Sequence, residues 1–308
     1  MKRIVLILLA VLGYIFINGQ TRAEKIMAEI KNPNSKYVVV IAHRGDWRNW
    51  PECSLKAFDS AIKMGADAVE VDVRRTLDGH LVVCHDARID RTTSGKGEIK
   101  EMTLDSIRKF CLRAGNNIRK RDCFIPTLEE VLDLCKGRCI INIDRGYTYY
   151  DQIIEMVEKR GMIDQILING KKSPQSVAKR YAKHEKNMPY VPILNYDNVR
   201  WPKIEQHFED FLSGVAPHIA FEVCWNGSLK GHEKIFKRII DSGSKLWLNT
   251  LWGSMCGGYE DNLEDDRAIE NEDKIYGKIL EYGASIIMTE RPQLLISYLE
   301  RIGRHTLD

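Results

Sequence analysis

Ala68-Val69-Glu70-Val71-Asp72-Val73 is the stretch that decides how this chain is read. Apolar residues alternate with two acids, a period of two that predicts a β-strand with Glu70 and Asp72 on one face. Two carboxylates on one side of an apolar strand are costly to bury unless a cation meets them, and a divalent metal ion is the economical partner. Two further strand-like runs, one before and one after, each end in a histidine: Ile41-Ala42-His43-Arg44-Gly45 and Val82-Val83-Cys84-His85-Asp86. Two imidazoles flanking a carboxylate-held metal form a plan for moving protons around a phosphate ester.

Outward from this core, strand and helix patterns alternate to the end of the chain. The strand candidates are Tyr37–Ala42, Ala68–Val73, Leu81–Cys84, Cys139–Ile143, Gln165–Ile168, Tyr190–Leu194, Ile219–Cys224, Lys245–Asn249 and Ser285–Thr289. Amphipathic stretches between them read as helices, among them Ser54–Met64, Thr127–Lys136, Tyr149–Lys159, Gly231–Ser242, Asp265–Tyr282 and Pro292–Arg301. Short apolar strands separated by helices imply a mostly parallel sheet under a helical cover. At 308 residues the expected class is α/β, a (β/α)8 TIM-type barrel formed by one domain over residues 36–308. An open doubly wound sheet is the alternative, but Arg44-Gly45-Asp46 is not the glycine-rich nucleotide loop such a sheet carries after its first strand. Nine strand candidates compete for eight barrel places. Arg74–His80 leaves no room for a crossover helix, so a parallel third strand would need an extended returning arm. Ala87–Phe124 interrupts the alternation as an insertion after the third strand, rich in polar residues and glycine.

Composition narrows the partners. The chain is 44% hydrophobic and 29% charged with a net charge of +3, which gives no support for a nucleic-acid binder. Met1-Lys2-Arg3 followed by an apolar run from Ile4 to Ile17 and small or polar residues to Ala23 has the layout of a secretory signal over residues 1–23, with cleavage after Gly19, Gln20 or Ala23. The run is shorter than the ~20 residues of a spanning helix, so an uncleaved anchor is the lesser alternative. No later stretch is long enough to cross a bilayer, and a periplasmic or secreted protein is expected. Eight cysteines fit an exported chain, yet Cys84 and Cys139 lie in apolar strands. Mostly buried thiols are expected, with Cys111 and Cys123 the pair to check first.

Barrel enzymes place reactive groups at the C-terminal ends of their strands. Those ends deliver His43 and Arg44, Glu70 and Asp72, His85 and Asp86, Asp144, Lys171, and Glu222 followed by Trp225. Any one of these is unremarkable. Their convergence on one mouth makes an active site the expectation. Trp225, Trp247 and Trp252 are candidates for an apolar wall, with Trp247 better explained by packing.

His43-Arg44-Gly45, Pro51-Glu52, Gly65-Ala66-Asp67, Glu70-x-Asp72-Val73, Thr76-x-Asp78-Gly79, His85-Asp86 and Arg91-Thr92-Thr93-x-Gly95-x-Gly97 stand in order. This series resembles the glycerophosphodiester phosphodiesterase family, as does Ile286-Ile287-Met288-Thr289-Glu290-Arg291-Pro292 near the end. The resemblance implies a TIM barrel, one Ca2+ or Mg2+ ion, and hydrolysis of glycerophosphodiesters to glycerol 3-phosphate and an alcohol. It implies His43 and His85 as the acid–base pair, Glu70 and Asp72 as metal ligands, and Arg44 as the phosphate holder. Glu52 and Asp86 would support this set from behind. The family's third ligand is a glutamate followed two positions later by lysine. Here Asp144 stands in its place, followed by Arg145 and Gly146, and Lys171 is the candidate for the missing cation. Hard oxygen ligands suit Ca2+ or Mg2+. Two rival expectations are a phospholipase acting on phosphoinositides or sphingolipids, and a non-catalytic binder of phosphodiesters.

Overall fold

A computed structural model describes residues 19–115, 119–120, 122–195, 204–227, 233–256 and 262–307. The apolar run of the expected leader, residues 1–18, lies outside the described residues, as do residues 257–261 of the loop that follows Trp252. The strands are β1 (Val39–Ala42), β2 (Ala68–Arg75), β3 (Leu81–Val83), β4 (Leu112–Arg113), β5 (Arg119–Lys120), β6 (Ile140–Asp144), β7 (Ile166–Gly170), β8 (Tyr190–Asn195), β9 (Ala220–Cys224), β10 (Lys245–Asn249) and β11 (Ile286–Thr289).

Eight of these close a parallel barrel in the order β1-β2-β6-β7-β8-β9-β10-β11, with β11 pairing back onto β1. The expected third barrel strand, Leu81–Cys84, is not one. β3 runs antiparallel to β2, with Val73 opposite Val83 and Arg75 opposite Leu81. The Asp78-Gly79 turn needs only a hairpin to reverse the chain, which removes the difficulty of a parallel return without a helix. The insertion therefore begins with this hairpin, at the mouth of the barrel, and continues through the β4–β5 ribbon. His85 descends from the hairpin's second arm rather than from a barrel strand.

Alternation along the strands sorts the core into two layers. Inward-facing Val39, Ile41, Ala68, Ile140, Leu167, Val191, Ala220, Trp247 and Ile286 fill the lower barrel. Outward-facing Val38, Val40, Val69, Val71, Ile141, Ile143, Phe221 and Leu248 pack against the surrounding helices. The residues opposite one another across β2 and β6 are Glu70 with Asn142 and Asp72 with Asp144.

One element that packs on the barrel was not expected from the sequence. Helix α1 (Arg22–Lys31) plugs the lower opening, with Ala23, Ile26, Met27 and Ile30 buried among the inward-facing strand residues. Its signal was the capping box Thr21-x-x-Glu24, in which the Thr21 amide donates to Glu24 Oε2 at 2.7 Å and the Glu24 amide to Thr21 Oγ1 at 3.2 Å. Arg22 donates to Asp67 Oδ1 at 2.8 Å and to the carbonyls of Gly65, Ala66 and Arg138. A leader boundary at residue 23 cuts into this helix, and a domain start at residue 36 omits it. The folded body extends N-terminally to Thr21.

Helix α2 (Leu55–Lys63) follows β1 and is capped by Ser54, whose hydroxyl accepts from the Ala57 amide at 3.1 Å. Helix α3 (Leu128–Cys135) opens on the Thr127–Glu130 capping box that its sequence announces. The stretch Asp265–Tyr282, read as one helix, is broken into Asp265–Ala268, a π-helical turn at Asp273–Gly277 and Lys278–Glu281. All eight cysteine thiols are free, Cys111 and Cys123 included. No helix among the described residues is long and apolar enough to cross a membrane.

Candidate active site

Barrel register builds the acidic centre. Asp72 and Asp144 are cross-strand neighbours on β2 and β6, and Glu70 sits two residues below Asp72 on the same inward face. One oxygen from each of the three carboxylates lies within 4.8 Å of the others. Glu70 Oε2 accepts the Arg44 amide at 3.0 Å, and Asp144 Oδ1 accepts the Arg145 amide at 2.8 Å. Both oxygens of Asp72 are buried without a hydrogen-bond partner. A carboxylate in that state costs several kcal/mol unless an ion takes up its lone pairs, on the order of what unpaired buried charge is known to cost. Burial, reinforced by the charges of Asp72 and Asp144, holds the Glu70 carboxyl well above the usual range. Asp72 is raised by burial and by Asp144. An all-oxygen triad whose members repel one another and carry orphaned lone pairs fits a hard divalent cation.

His43 follows β1 and is 7% exposed. Its Nδ1 lies 3.2 Å from Glu290 Oε1, and its ring meets Trp252 edge-on at 5.5 Å between centroids. Burial, then the charges of Arg44 and His85, push His43 down to about 3, so it is neutral at pH 7. His85 Nδ1 lies 2.7 Å from Asp86 Oδ1. Arg91 donates to both Asp86 oxygens and holds that carboxyl down, to about 2. The same guanidinium donates to Glu52 at 2.6 and 2.8 Å, and Arg44 Nη1 adds a bond of 3.1 Å to Glu52. Burial opposes ionisation of Glu52, yet Arg91 and Arg44 outweigh it and keep its carboxyl below the usual range. Glu52 thus ties the turn after β1 to the insertion that carries His85.

Two strained residues aim this machinery. Arg44 and Arg145 have φ of 56° and 59°, in the left-handed region that non-glycine residues rarely enter. At Arg44 the turn points its amide at Glu70. Gly45, at φ 76°, continues that turn against α2, where a Cβ would come within 2.8 Å of the Ala57 backbone. At Arg145 the turn carries the guanidinium back over the mouth. It donates to the His85 carbonyl at 2.8 Å and stands 3.7 Å from Asp72 Oδ1 and 3.8 Å from Asp144 Oδ2.

The structure thus brings His43, Arg44, Glu52, Glu70, Asp72, His85, Asp86 and Asp144 to one mouth. Lys171 lies beside them, lining a cavity of about 470 Å³ with Arg74, Asp144, Arg145 and Tyr147. Trp225 is elsewhere. It points outward, 1% exposed, and packs on Phe236 of the following helix at 5.8 Å, because it continues the outward phase of Phe221 and Val223. Of the three tryptophans considered for an apolar wall, the one at the mouth is Trp252, 38% exposed. Trp247 fills the barrel interior, donating to Asn249 Oδ1 at 2.9 Å. Glu222 is buried on β9, accepting from Asn169 at 2.9 Å and Asn249 at 3.0 Å.

Sequence reasoning gave no role to Glu290, Arg91 or Arg145. Glu290 carried a signal: barrel closure pairs Ala42 with Thr289, so the residues after each strand must be neighbours. Its amide is held by Asp265 at 2.7 Å, a buried carboxylate that also accepts from Thr250, Tyr276 and Thr289.

Comparison with known proteins agrees with this geometry. Residues 43–186 match the model of the glycerophosphoryl diester phosphodiesterase family, and residues 190–299 match a domain of unknown function. A glycerophosphodiester phosphodiesterase of Caldanaerobacter subterraneus subsp. tengcongensis is 39% identical over 140 residues, 42% of this chain and 57% of that protein. The chain therefore spans just over half the length of such relatives in sequence. In structure the likeness is longer. A glycerophosphoryl diester phosphodiesterase from Parabacteroides distasonis superposes with a TM-score of 0.72 at 19% identity, over 90% of this chain and 91% of that one. An Oleispira antarctica phosphodiesterase, solved with the product sn-glycerol-3-phosphate, gives 0.60 at 18% identity over 85% and 96%. With the ordered motifs of residues 41–97 and the closed barrel, these matches identify residues 43–186 as a domain of the glycerophosphoryl diester phosphodiesterase family.

Proposed function

We propose that this protein is an exported phosphodiesterase that cleaves glycerophosphodiesters to glycerol 3-phosphate and an alcohol. The observation that carries the reading is Asp72, a buried carboxylate without a hydrogen-bond partner, between Glu70 and Asp144 and near two imidazoles that each rest on a carboxylate. Glu70, Asp72 and Asp144 would hold one Ca2+ or Mg2+ ion. When bound, it supplies positive charge to the phosphodiester oxygens and polarises the phosphorus.

The chain's own residues account for binding and proton movement. Arg44 presents a guanidinium to the phosphoryl oxygens. Arg145 and Lys171 supply positive charge on the Asp144 side, in place of the lysine that Gly146 replaces. Glu290 orients the buried, neutral His43 through Nδ1 and leaves Nε2 as a base that takes the proton of the nucleophile. Asp86 orients His85 through Nδ1, and His85 gives a proton to the departing alcohol as the phosphorus–oxygen bond breaks. Water and the glycerol 2-hydroxyl are both competent nucleophiles here, the latter through a cyclic phosphate. Residues 1–18 fit an export leader, with maturation N-terminal to Thr21 so that the α1 cap and the Arg22–Asp67 pair survive.

The test is a panel of glycerophosphodiesters incubated with purified protein in Ca2+, in Mg2+ and in chelator, read as released glycerol 3-phosphate. Release with a divalent ion and its loss in chelator are expected. No glycerol 3-phosphate from any diester with either ion overturns the reading.

A further inference from the structure

A second cavity, of about 510 Å³, opens beside the reaction centre between the barrel mouth and the insertion. Arg44, Trp47, Glu52, Arg91, Arg113 and Glu290 line it. Its polar atoms are unbalanced in one direction. Arg44 Nε and the Trp47 indole Nε1 are buried donors without an acceptor. Both lining carboxylates are already engaged, Glu52 by Arg44 and Arg91, and Glu290 by His43 and Arg48. Three guanidinium groups and two carboxylates line the cavity. An orphaned buried donor is destabilising, and an acceptor brought by a ligand relieves it. The cavity is poor for a quaternary ammonium group, which needs an open aromatic face. The Trp47 ring is already covered by the Arg48 guanidinium at 4.7 Å.

We infer that this cavity is the leaving-group pocket and that it selects an alcohol bearing its own phosphate. The inference rests on the phosphodiesterase reading and names its substrate class. A diester held by the triad and Arg44 has two arms. The glycerol arm carries only hydroxyl groups, whereas the cavity offers charge and donors to an anion. Arg44 spans both places, with Nη1 on Glu52 and Nε buried without an acceptor. The Trp47 N–H and the Arg113 guanidinium, which arrives from the β4–β5 ribbon, then recognise the distal phosphate. Neither Trp47 nor Arg113 holds the triad or a histidine, so both act on selectivity.

The experiment compares glycerophosphoinositol with the same diester phosphorylated at the inositol 4-position, in the parent protein and in Trp47→Phe and Arg113→Gln. The parent is expected to favour the phosphorylated diester by at least about tenfold in kcat/KM, and each substitution to reduce that preference below about threefold. A parent ratio near one, or a ratio unchanged in both variants, overturns the inference. Calorimetric titration with inositol 4-phosphate and with inositol separates this from failure of the phosphodiesterase reading. If no diester is cleaved, that reading falls. Binding of inositol 4-phosphate that weakens at least about fivefold in Arg113→Gln still supports the pocket, and binding that is absent or unchanged in both variants overturns it.

Discussion

At the scale of single residues, two histidines that look alike in sequence sit in different surroundings. His43 is buried against Glu290 and Trp252, while His85 is half-exposed and held by an ionised Asp86. His43→Ala and His85→Ala are each expected to lower kcat by about 10²–10⁴-fold while the circular dichroism spectrum stays unchanged. Retained turnover in either variant would remove that histidine from the chemistry. Asp72→Asn is expected to abolish divalent-cation binding in calorimetry, because the amide offers one acceptor and no charge where two bare oxygens stood. These residues were legible because their motif spacing is local. The role of Glu290 was not, nor was the contact of Trp252 with His43, because each meets His43 only after more than two hundred residues of chain have closed the barrel.

Elements were legible in proportion to their periodicity. The strands that line the barrel read as apolar runs, and helices such as α3 announced themselves by caps. The hairpin of β2 and β3 was misjudged because three valine-rich residues carry no mark of direction. Parallel and antiparallel partners differ only in where the intervening chain goes. Helix α1 was missed because its polar face blends with the residues after the apolar leader. Its apolar face has no purpose until the barrel bottom exists to receive it. Thr21→Ala is expected to cost about 1 kcal/mol in denaturant unfolding, the usual worth of such a cap. Asp67→Ala is expected to cost more, about 2–4 kcal/mol, because it removes the shared acceptor of Arg22, Tyr37 and the Val40 amide. A change below 0.5 kcal/mol in both variants would show that α1 is not anchored through this pair.

For the whole molecule, the acidic centre links stability to metal and to pH. Burial and mutual repulsion raise Glu70 and Asp72 in the folded state. A raised carboxyl binds protons in the folded chain at a pH where the unfolded chain has released them. Stability therefore falls as pH rises above the ordinary carboxylate range. A divalent cation removes that penalty, and at a hundred times its dissociation constant it adds about 2.7 kcal/mol. The rise in Tm on adding Ca2+ or Mg2+ is expected to be larger at pH 8 than at pH 5, measured by scanning calorimetry. An equal rise at both values would place the ion away from this triad. The sequence by itself determined the alternation of strand and helix, the shared face of Glu70 and Asp72, and the histidines at strand-like ends, since each depends on residues a few positions apart. Only the tertiary structure decided that His85 arrives on a hairpin, that Trp225 faces the helices, and that Glu290 holds His43. Those outcomes depend on barrel closure and strand register, which are set by packing across the whole chain and leave no trace in any short stretch of it.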